Sequence, residues 1–260
     1  MKINKIRKIL NKKGKSKITC LTAYSKVMAS ILDKYCDIIL VGDSLGMVLY
    51  GMKSTKEVKI QTMMLHAKAV KKESKKSLVV FDMPYKTYSN KLNALKNARK
   101  IFKETNCDAV KLEGGKKIVN IVKHLIKNGI PVMGHIGLLP QTSKKFKLQG
   151  KNFLQEKIIL DDAKSLSKSG VFAIVIECVV EKLAKKITNL ISVPTIGIGA
   201  SKYCDGQILV TDDMIGMTNF SPKFVKRYCN VRKIIEKSVK KYCNEVKLKT
   251  FPSAQHVYKL

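Results

Sequence analysis

Short aliphatic runs alternate along this chain with longer amphipathic stretches, and several of the runs stop abruptly on a polar or charged residue. Residues 37–46 (DIILVGDSLG) set the pattern: four consecutive aliphatic side chains end in Gly42, Asp43 and Ser44. A strand covered on both faces delivers polar groups to the edge of a sheet in this way, which puts Asp43 at a strand's C-terminal tip. The same arrangement recurs where residues 78–81 run into Asp82, 109–110 into Lys111 and Glu113, 132–134 into His135, and 173–176 into Glu177. Five apolar runs that each close on a chemically capable side chain predict one shared site.

Between the runs the apolar residues fall at helical spacing. Ile3, Ile6, Ile9 and Leu10 predict a short helix over 1–16 that stops near Gly14, ahead of a β-prone run at 17–22. A helix is predicted at 23–34, and another at 61–73 with Met63, Met64, Ala67 and Val70 on one face. Further helices are marked by Leu92, Leu95, Ala98, Ile101 and Phe102, by Ile118 to Ile126, by 155–168, and by Leu183, Ile187 and Leu190. Pro84 ends the third strand and Pro131 opens the fifth, since proline cannot donate to a ladder. Strands at 193–197 and 207–210 bring the count to eight. Residues 136–150, with Gly137, Pro140 and Gly150, form the longest irregular stretch and predict a lid or binding loop. Residues 222–246 read as helical, and 247–260 as a basic tail.

Repeated β-α units fit either an open doubly wound sheet or a closed eightfold barrel. Polar residues at the tips of so many strands favour the barrel, whose sites draw on all its βα loops, over an open sheet with one switch point. The expectation is α/β, a (β/α)8 TIM barrel with a short N-terminal helix and C-terminal helices, as one domain over residues 1–260; that length suits such a barrel.

Composition narrows the partners. A net charge of +32 invites a nucleic-acid reading, but Arg7, Arg99, Arg227 and Arg232 are the only arginines among 51 basic residues. Recognition of bases and phosphates leans on the bidentate arginine fork, and here lysines are spread over nearly every predicted helix. Solvated helix faces explain that distribution, so no specific nucleic-acid partner is expected, only weak polyanion binding at low salt. No apolar run reaches the roughly 18–20 residues of a membrane span, and no signal peptide is evident, so the expected location is cytoplasmic. Seven cysteines, odd in number and without a C-x-x-C pair, predict reduced thiols. Cys178 has no cationic sequence neighbour to activate it as a nucleophile. Gly197-Ile198-Gly199 begins like a dinucleotide fingerprint, but Lys202 takes the place of the third glycine.

Asp43, Asp82 and Glu113 follow consecutive strands, so adjacent tips would crowd three carboxylates together. A hard divalent cation, Mg²⁺, relieves such repulsion; the plainer reading of each acid is a helix cap or a lysine partner. Ser44 offers a hydroxyl suited to a substrate carboxylate, or merely a turn residue. Lys111 interrupts a buried strand, so it either points into the barrel mouth or marks a different strand boundary. Of the four histidines His135 is the candidate; His66 and His124 fall in helices and His256 in the tail.

Several segments in unbroken order resemble the ketopantoate hydroxymethyltransferase family: Thr22-Ala23-Tyr24, Val41-Gly42-Asp43-Ser44-Leu45-Gly46-Met47, Val110-Lys111-Leu112-Glu113-Gly114-Gly115, Gly134-His135-Ile136-Gly137-Leu138 with Pro140-Gln141, Glu177-Cys178-Val179, Ile196-Gly197-Ile198-Gly199-Ala200, and 205–210 (DGQILV). The resemblance implies a (β/α)8 barrel that moves the one-carbon unit of 5,10-methylenetetrahydrofolate onto 3-methyl-2-oxobutanoate, forming 2-dehydropantoate for pantothenate and coenzyme A. It implies Mg²⁺ at Asp43 and Asp82 with Glu113 in the metal site through water, oxo-acid contacts at Ser44, Asp82 and Lys111, Glu177 as proton acceptor, and a homo-oligomer, in the family a decamer. His135 would orient the substrate or a neighbouring acid.

Ser25 and Ser201 depart from the residues usual at their positions, and the loop at 141–150 is shorter and lysine-rich; these bear on folate binding and loop closure. Two other readings compete. One is a metal-dependent barrel lyase acting on another oxo-acid, the other a basic nucleic-acid binder without catalysis, against which the intact acidic strand tips argue.

Overall fold

Eight parallel strands close on one another in chain order in the computed structural model: β1 (Ile18–Thr22), β2 (Ile38–Val41), β3 (Leu78–Asp82), β4 (Ala109–Glu113), β5 (Val132–Gly137), β6 (Ala173–Glu177), β7 (Thr195–Ile198) and β8 (Gly206–Leu209), with β8 pairing back onto β1. Residues 2–143 and 146–259 are described; Lys144 and Lys145 of the predicted lid, and both terminal residues, lie outside them. The chain divides into two compact units, Met1–Val210 and Thr211–Leu260. The first holds the barrel, and the helix-and-strand alternation legible in the sequence runs as far as β7, which leads into β8 without a helix.

The helices of this unit are α1 (Lys2–Leu10), α2 (Lys26–Leu32), α3 (Leu45–Tyr50), α4 (Ile60–Glu73), α5 (Lys91–Thr105), α6 (Val119–Lys127), α7 (Phe153–Lys168) and α8 (Glu181–Leu190). Their starts are set by polar caps. Ser25, Asn90 and Asn152 each accept a hydrogen bond from a backbone N–H of the first turn, at Met28, Asn93 and Gln155. Ser25, one of the two departures noted in the sequence, is therefore the cap of α2, and this is why that helix begins three residues later than the periodicity predicts. Helix α3 was not foreseen: its six residues fall within the expected loop, bounded by Gly51 in a left-handed conformation.

Two apolar layers follow from the strand period of two. Ile39, Val41, Val79, Phe81, Val110, Leu112, Ile174 and Ile176 face outward against the helices. Ile18, Cys20, Ile38, Leu40, Leu78, Val80, Ala109, Met133, Ala173, Val175, Ile196 and Ile208 fill the barrel, with Ile9 of α1 packed against them. Asp205 secures the chain just before β8. Its carboxylate accepts from Lys13 Nζ (2.8 Å), Gly14 N (3.1 Å), Thr195 N (2.8 Å) and Thr195 Oγ1 (3.1 Å). Those four bonds tie the end of the N-terminal helix to β7.

In the second unit α9 (Thr211–Met214) and α10 (Val231–Lys247) are joined by an irregular segment. The helix expected from Pro222 starts instead at Val231, because Asn230 caps it by accepting from Lys233 N, while Tyr228 N–H donates to Met214 O. Ile235, Val239, Tyr242 and Val246 lie at helical spacing along α10 and are all exposed. Phe251 turns back onto Tyr242, ring centroids 5.6 Å apart. Among the described residues no helix is long and apolar enough to cross a membrane.

Candidate active site at the strand tips

Alternation also decides which functional side chains meet. The inward positions read Leu78, Val80, Asp82 on β3, Ala109, Lys111, Glu113 on β4, Met133, His135 on β5, and Ala173, Val175, Glu177 on β6, apolar below and polar at the C-terminal end. Register then sets Asp82 opposite Lys111 and Glu113 opposite His135. Lys111 thus sits inside its strand and points into the barrel, which settles the alternative left by the sequence.

Lys111 Nζ donates to both oxygens of Asp82, at 2.7 and 2.8 Å, and stands 3.7 Å from Glu113 Oε1. His135 lies between two acids, with Nδ1 3.3 Å from Glu113 Oε1 and Nε2 3.2 Å from Glu177 Oε2. These are close ion pairs rather than aligned hydrogen bonds. The backbone N–H of Asp43, two residues past β2, donates weakly to Asp82 Oδ2 at 3.4 Å. Ser44 Oγ shares a 2.7 Å hydrogen bond with Tyr24 Oη. Asp43, Asp82, Lys111, Glu113 and His135 are all buried, whereas the Glu177 side chain keeps 12% of its surface exposed. The structure therefore strings Asp43, Asp82, Lys111, Glu113, His135 and Glu177 into one line of contacts, with Ser44 beside its first member.

Charge balance across that line is uneven. Burial and the Lys111 ammonium push the His135 imidazole down, but Glu113 and Glu177 outweigh them and leave its pKa at about 9. Burial likewise opposes the charge on Lys111, and Asp82, Glu113 and Asp43 hold it above the ordinary lysine range. Burial works on Glu113 too, yet His135, Lys111 and the Gln141 N–H bring it below the usual carboxylate range. Asp43 goes the other way: burial and the neighbouring Asp82 carboxylate raise it well above that range. Asp82 also ends raised, burial prevailing over Lys111, even though the ammonium's own rise marks a formed ion pair. The close contact decides in favour of the pair, and Asp43 is the acid left without a cation of its own.

Four carboxylates thus face two cationic groups, Lys111 and His135. With all four ionised, the two charges left over equal what one divalent ion brings. Among the described residues no three His, Cys, Asp or Glu side chains form a ready cage for a metal. Mg²⁺ needs none, since it keeps several waters and is commonly held by one or two carboxylates together with substrate oxygens. Asp43 and Asp82 fit that habit.

The sequence profile described as Ketopantoate hydroxymethyltransferase matches residues 2–254. The chain belongs to the ketopantoate hydroxymethyltransferase family. A curated relative from Pelagibacter ubique named 3-methyl-2-oxobutanoate hydroxymethyltransferase is 55% identical over 254 residues, covering 98% of this chain and 99% of its own. One of the same name from Bartonella henselae is 49% identical over 256 residues, covering 97% and 93%. Among solved structures, a phosphonopyruvate hydrolase aligns over 100% of this chain and 92% of its own with a TM-score of 0.64 at 10% identity. A 2,3-dimethylmalate lyase of the PEP mutase/isocitrate lyase superfamily aligns over 97% and 87% with a TM-score of 0.63 at 11% identity. At such identities these two speak for the barrel fold alone.

Within this hydroxymethyltransferase family member, two residues at the site went unassigned in the sequence reading. Gln141 is completely buried and bonds to Asp43, Glu113 and Met83; Tyr88 bonds to Gln141 and to the backbone of Glu113. Only the Pro140-Gln141 pair hinted at the first, and nothing marked the second. His66, expected on the surface, is half-buried: Nδ1 lies 2.6 Å from Tyr24 O and Nε2 2.8 Å from Tyr50 Oη. Cys178 has φ of +49° and a thiol raised to about 11 by burial and by Glu177, so it is no nucleophile.

Proposed function

We infer that this protein transfers a hydroxymethyl group from 5,10-methylenetetrahydrofolate to 3-methyl-2-oxobutanoate, forming 2-dehydropantoate in pantothenate biosynthesis, in the cytoplasm and as a homo-oligomer, a decamer. The observation that carries the reading is the line of contacts from Asp43 to Glu177 at one rim of the barrel, in a chain of this family. Asp43 and Asp82, with Glu113 through water, would hold Mg²⁺, which would supply a Lewis acid for the oxygens of the oxo-acid.

The protein's own groups do the rest. Lys111, kept protonated, and the Ser44 hydroxyl, steadied by Tyr24, hold the oxo-acid by its oxygens. With the substrate fixed, Glu177 takes the proton from C3 in its carboxylate. His135 bridges Glu113 and Glu177, so the base is held by an imidazolium anchored on a second acid. Water takes the methylene carbon off the folate as a carbonyl carbon: both C–N bonds break, N5 and N10 take up the two protons, and tetrahydrofolate leaves. C3 then bonds to that carbon, and the proton held by Glu177 passes to its oxygen, which becomes the new hydroxyl group.

A cavity of about 190 Å³ between the turn after α3 and the loop after β5 supports the folate assignment. Met47, Leu138, Pro140 and Phe146 give it apolar walls for a flat ring, and Lys53 an ammonium for a carboxylate. Exposed apolar side chains on adjacent helices, Val27 and Ile31 of α2 and Leu65 of α4, support assembly. Incubation with oxo-acid, Mg²⁺ and methylenetetrahydrofolate tests the reading: 2-dehydropantoate must form, and its absence from active-looking, folded protein rejects the assignment.

A further inference from the structure

Gln141 opens the long loop after β5, yet its side chain is completely buried among the acids of the site. Its amide carries two donors and one acceptor, and each is used once. Nε2 donates to Asp43 Oδ2 at 2.9 Å and to Met83 O at 2.9 Å, and Oε1 accepts from Tyr88 Oη at 2.5 Å. The backbone N–H of Gln141 donates to Glu113 Oε2 at 3.1 Å. Directions in this network admit little freedom. The Met83 carbonyl can only accept, so the NH₂ end must face it and Asp43, and the oxygen must face Tyr88. Tyr88 Oη in turn accepts from Glu113 N at 3.3 Å, which leaves its own proton for Gln141.

We propose that Gln141, with its amide orientation set by Tyr88, is a positioning residue that occupies one oxygen of Asp43 and thereby reserves the other for a divalent cation. The inference rests on the metal reading of the previous section and adds residues to it. An unanchored Asp43 carboxylate could rotate to present either oxygen, or turn toward Lys111. With Oδ2 engaged by an uncharged amide, Oδ1 is held in place. Gln141 also joins Asp43 to Glu113 through one residue, side chain to the first and backbone to the second, so two acids on either side of the β3 tip are set by the same loop position. Partners of this kind around metal-binding carboxylates commonly change metal affinity by about 10–100-fold when removed.

Mn²⁺ titration of the full-length protein, followed by electron paramagnetic resonance of the free ion, tests this directly. Wild type and Asp43→Asn define the site: wild type binds and Asp43→Asn does not. Gln141→Met keeps volume and removes the donors, and it is expected to weaken Mn²⁺ binding about 10–100-fold, with turnover partly restored by raising Mg²⁺. Tyr88→Phe should weaken Mn²⁺ binding less, and the Tyr88→Phe/Gln141→Met pair should bind no worse than Gln141→Met alone, because Tyr88 acts through the amide. Mn²⁺ affinity within twofold of wild type in folded Gln141→Met protein would overturn the proposal, whatever the change in melting temperature. No Mn²⁺ binding by wild type would instead overturn the metal reading itself, and this inference with it.

Discussion

Nε2 of His135 stands 3.2 Å from Oε2 of Glu177, and these two are the inward side chains of neighbouring strands β5 and β6. Glu177 is the one acid of the site whose side chain retains some exposure, which suits a group that must reach a substrate carbon. Glu177→Gln keeps the shape and removes the proton acceptor. It is expected to bind the oxo-acid nearly as well as wild type while losing about 10²–10⁴-fold in turnover. Deuterium exchange at C3 of 3-methyl-2-oxobutanoate is the check, and exchange at the wild-type rate would move the base elsewhere.

Asp43→Asn should separate stability from activity. The substitution removes one of the like charges crowded at Asp82, so the metal-free protein should melt higher than wild type, while activity and the response to Mg²⁺ disappear. In wild type, Mg²⁺ at about 100 times its dissociation constant should add about 2.7 kcal/mol of stability, and EDTA should remove it. Thermal melts of both proteins with EDTA and with Mg²⁺ measure the stabilities, and a turnover assay measures the loss of activity.

Lys111→Met leaves Asp82 buried without its cation, and breaking a buried pair in this way costs about 3–5 kcal/mol. The metal-free variant should therefore melt well below wild type. Mg²⁺ should recover a larger share of stability in the variant than in wild type, since the ion then faces less positive charge. Equal Mg²⁺-induced shifts would show that the ammonium and the ion do not share these carboxylates.

Asp205 supplies a pH-dependent contribution far from the chemistry. Burial raises its carboxyl, but bonds from Lys13, Thr195 and Gly14 more than reverse this and leave it below the ordinary carboxylate value. A lowered native pKa stabilises the fold above the unfolded value of about 3.9, and that stabilisation fades as pH falls through the native value. Asp205→Asn should lose about 1–3 kcal/mol at neutral pH. The difference in melting temperature from wild type should hold steady from neutral pH down to about 5 and shrink below about 4.

Gly137→Ala should damage the site through the backbone. Gly137 has φ of +90°, and a Cβ there would run into the carbonyl oxygen of Glu177 on the paired strand. Either β6 shifts, carrying Glu177 away from His135, or the fold loses stability. Turnover should fall at least as far as thermal stability predicts, with oxo-acid binding affected less than C3 exchange.

The middle strands and their polar ends were legible because both of their faces are buried: a run such as Ile38 to Val41 has no solvent side to blur its limits. At Lys111, where a charge breaks an apolar strand, the sequence left an inward side chain and a different strand boundary both open, and only the register decided for the first. What escaped depended on contacts across the chain. Tyr88 lies 53 residues from Gln141, and neither has a local pattern that ties it to Asp43. Helix α3 escaped because six residues after a strand carry no full helical period, and α10 was predicted nine residues early because Pro222 looks like a helix start while Asn230 supplies the cap.

The left-handed backbone at Cys178 bears on how thiol chemistry at this protein should be read. That conformation directs the chain out of β6 immediately after Glu177, and it suits glycine or asparagine better than cysteine. Alkylating reagents that silence the enzyme by reacting there would act as wedges beside Glu177, and Cys178→Gly should be both active and immune to them. An inhibitor series built on capturing this sulfur would be aimed at a hinge of the main chain, with the reactive atom incidental to turnover.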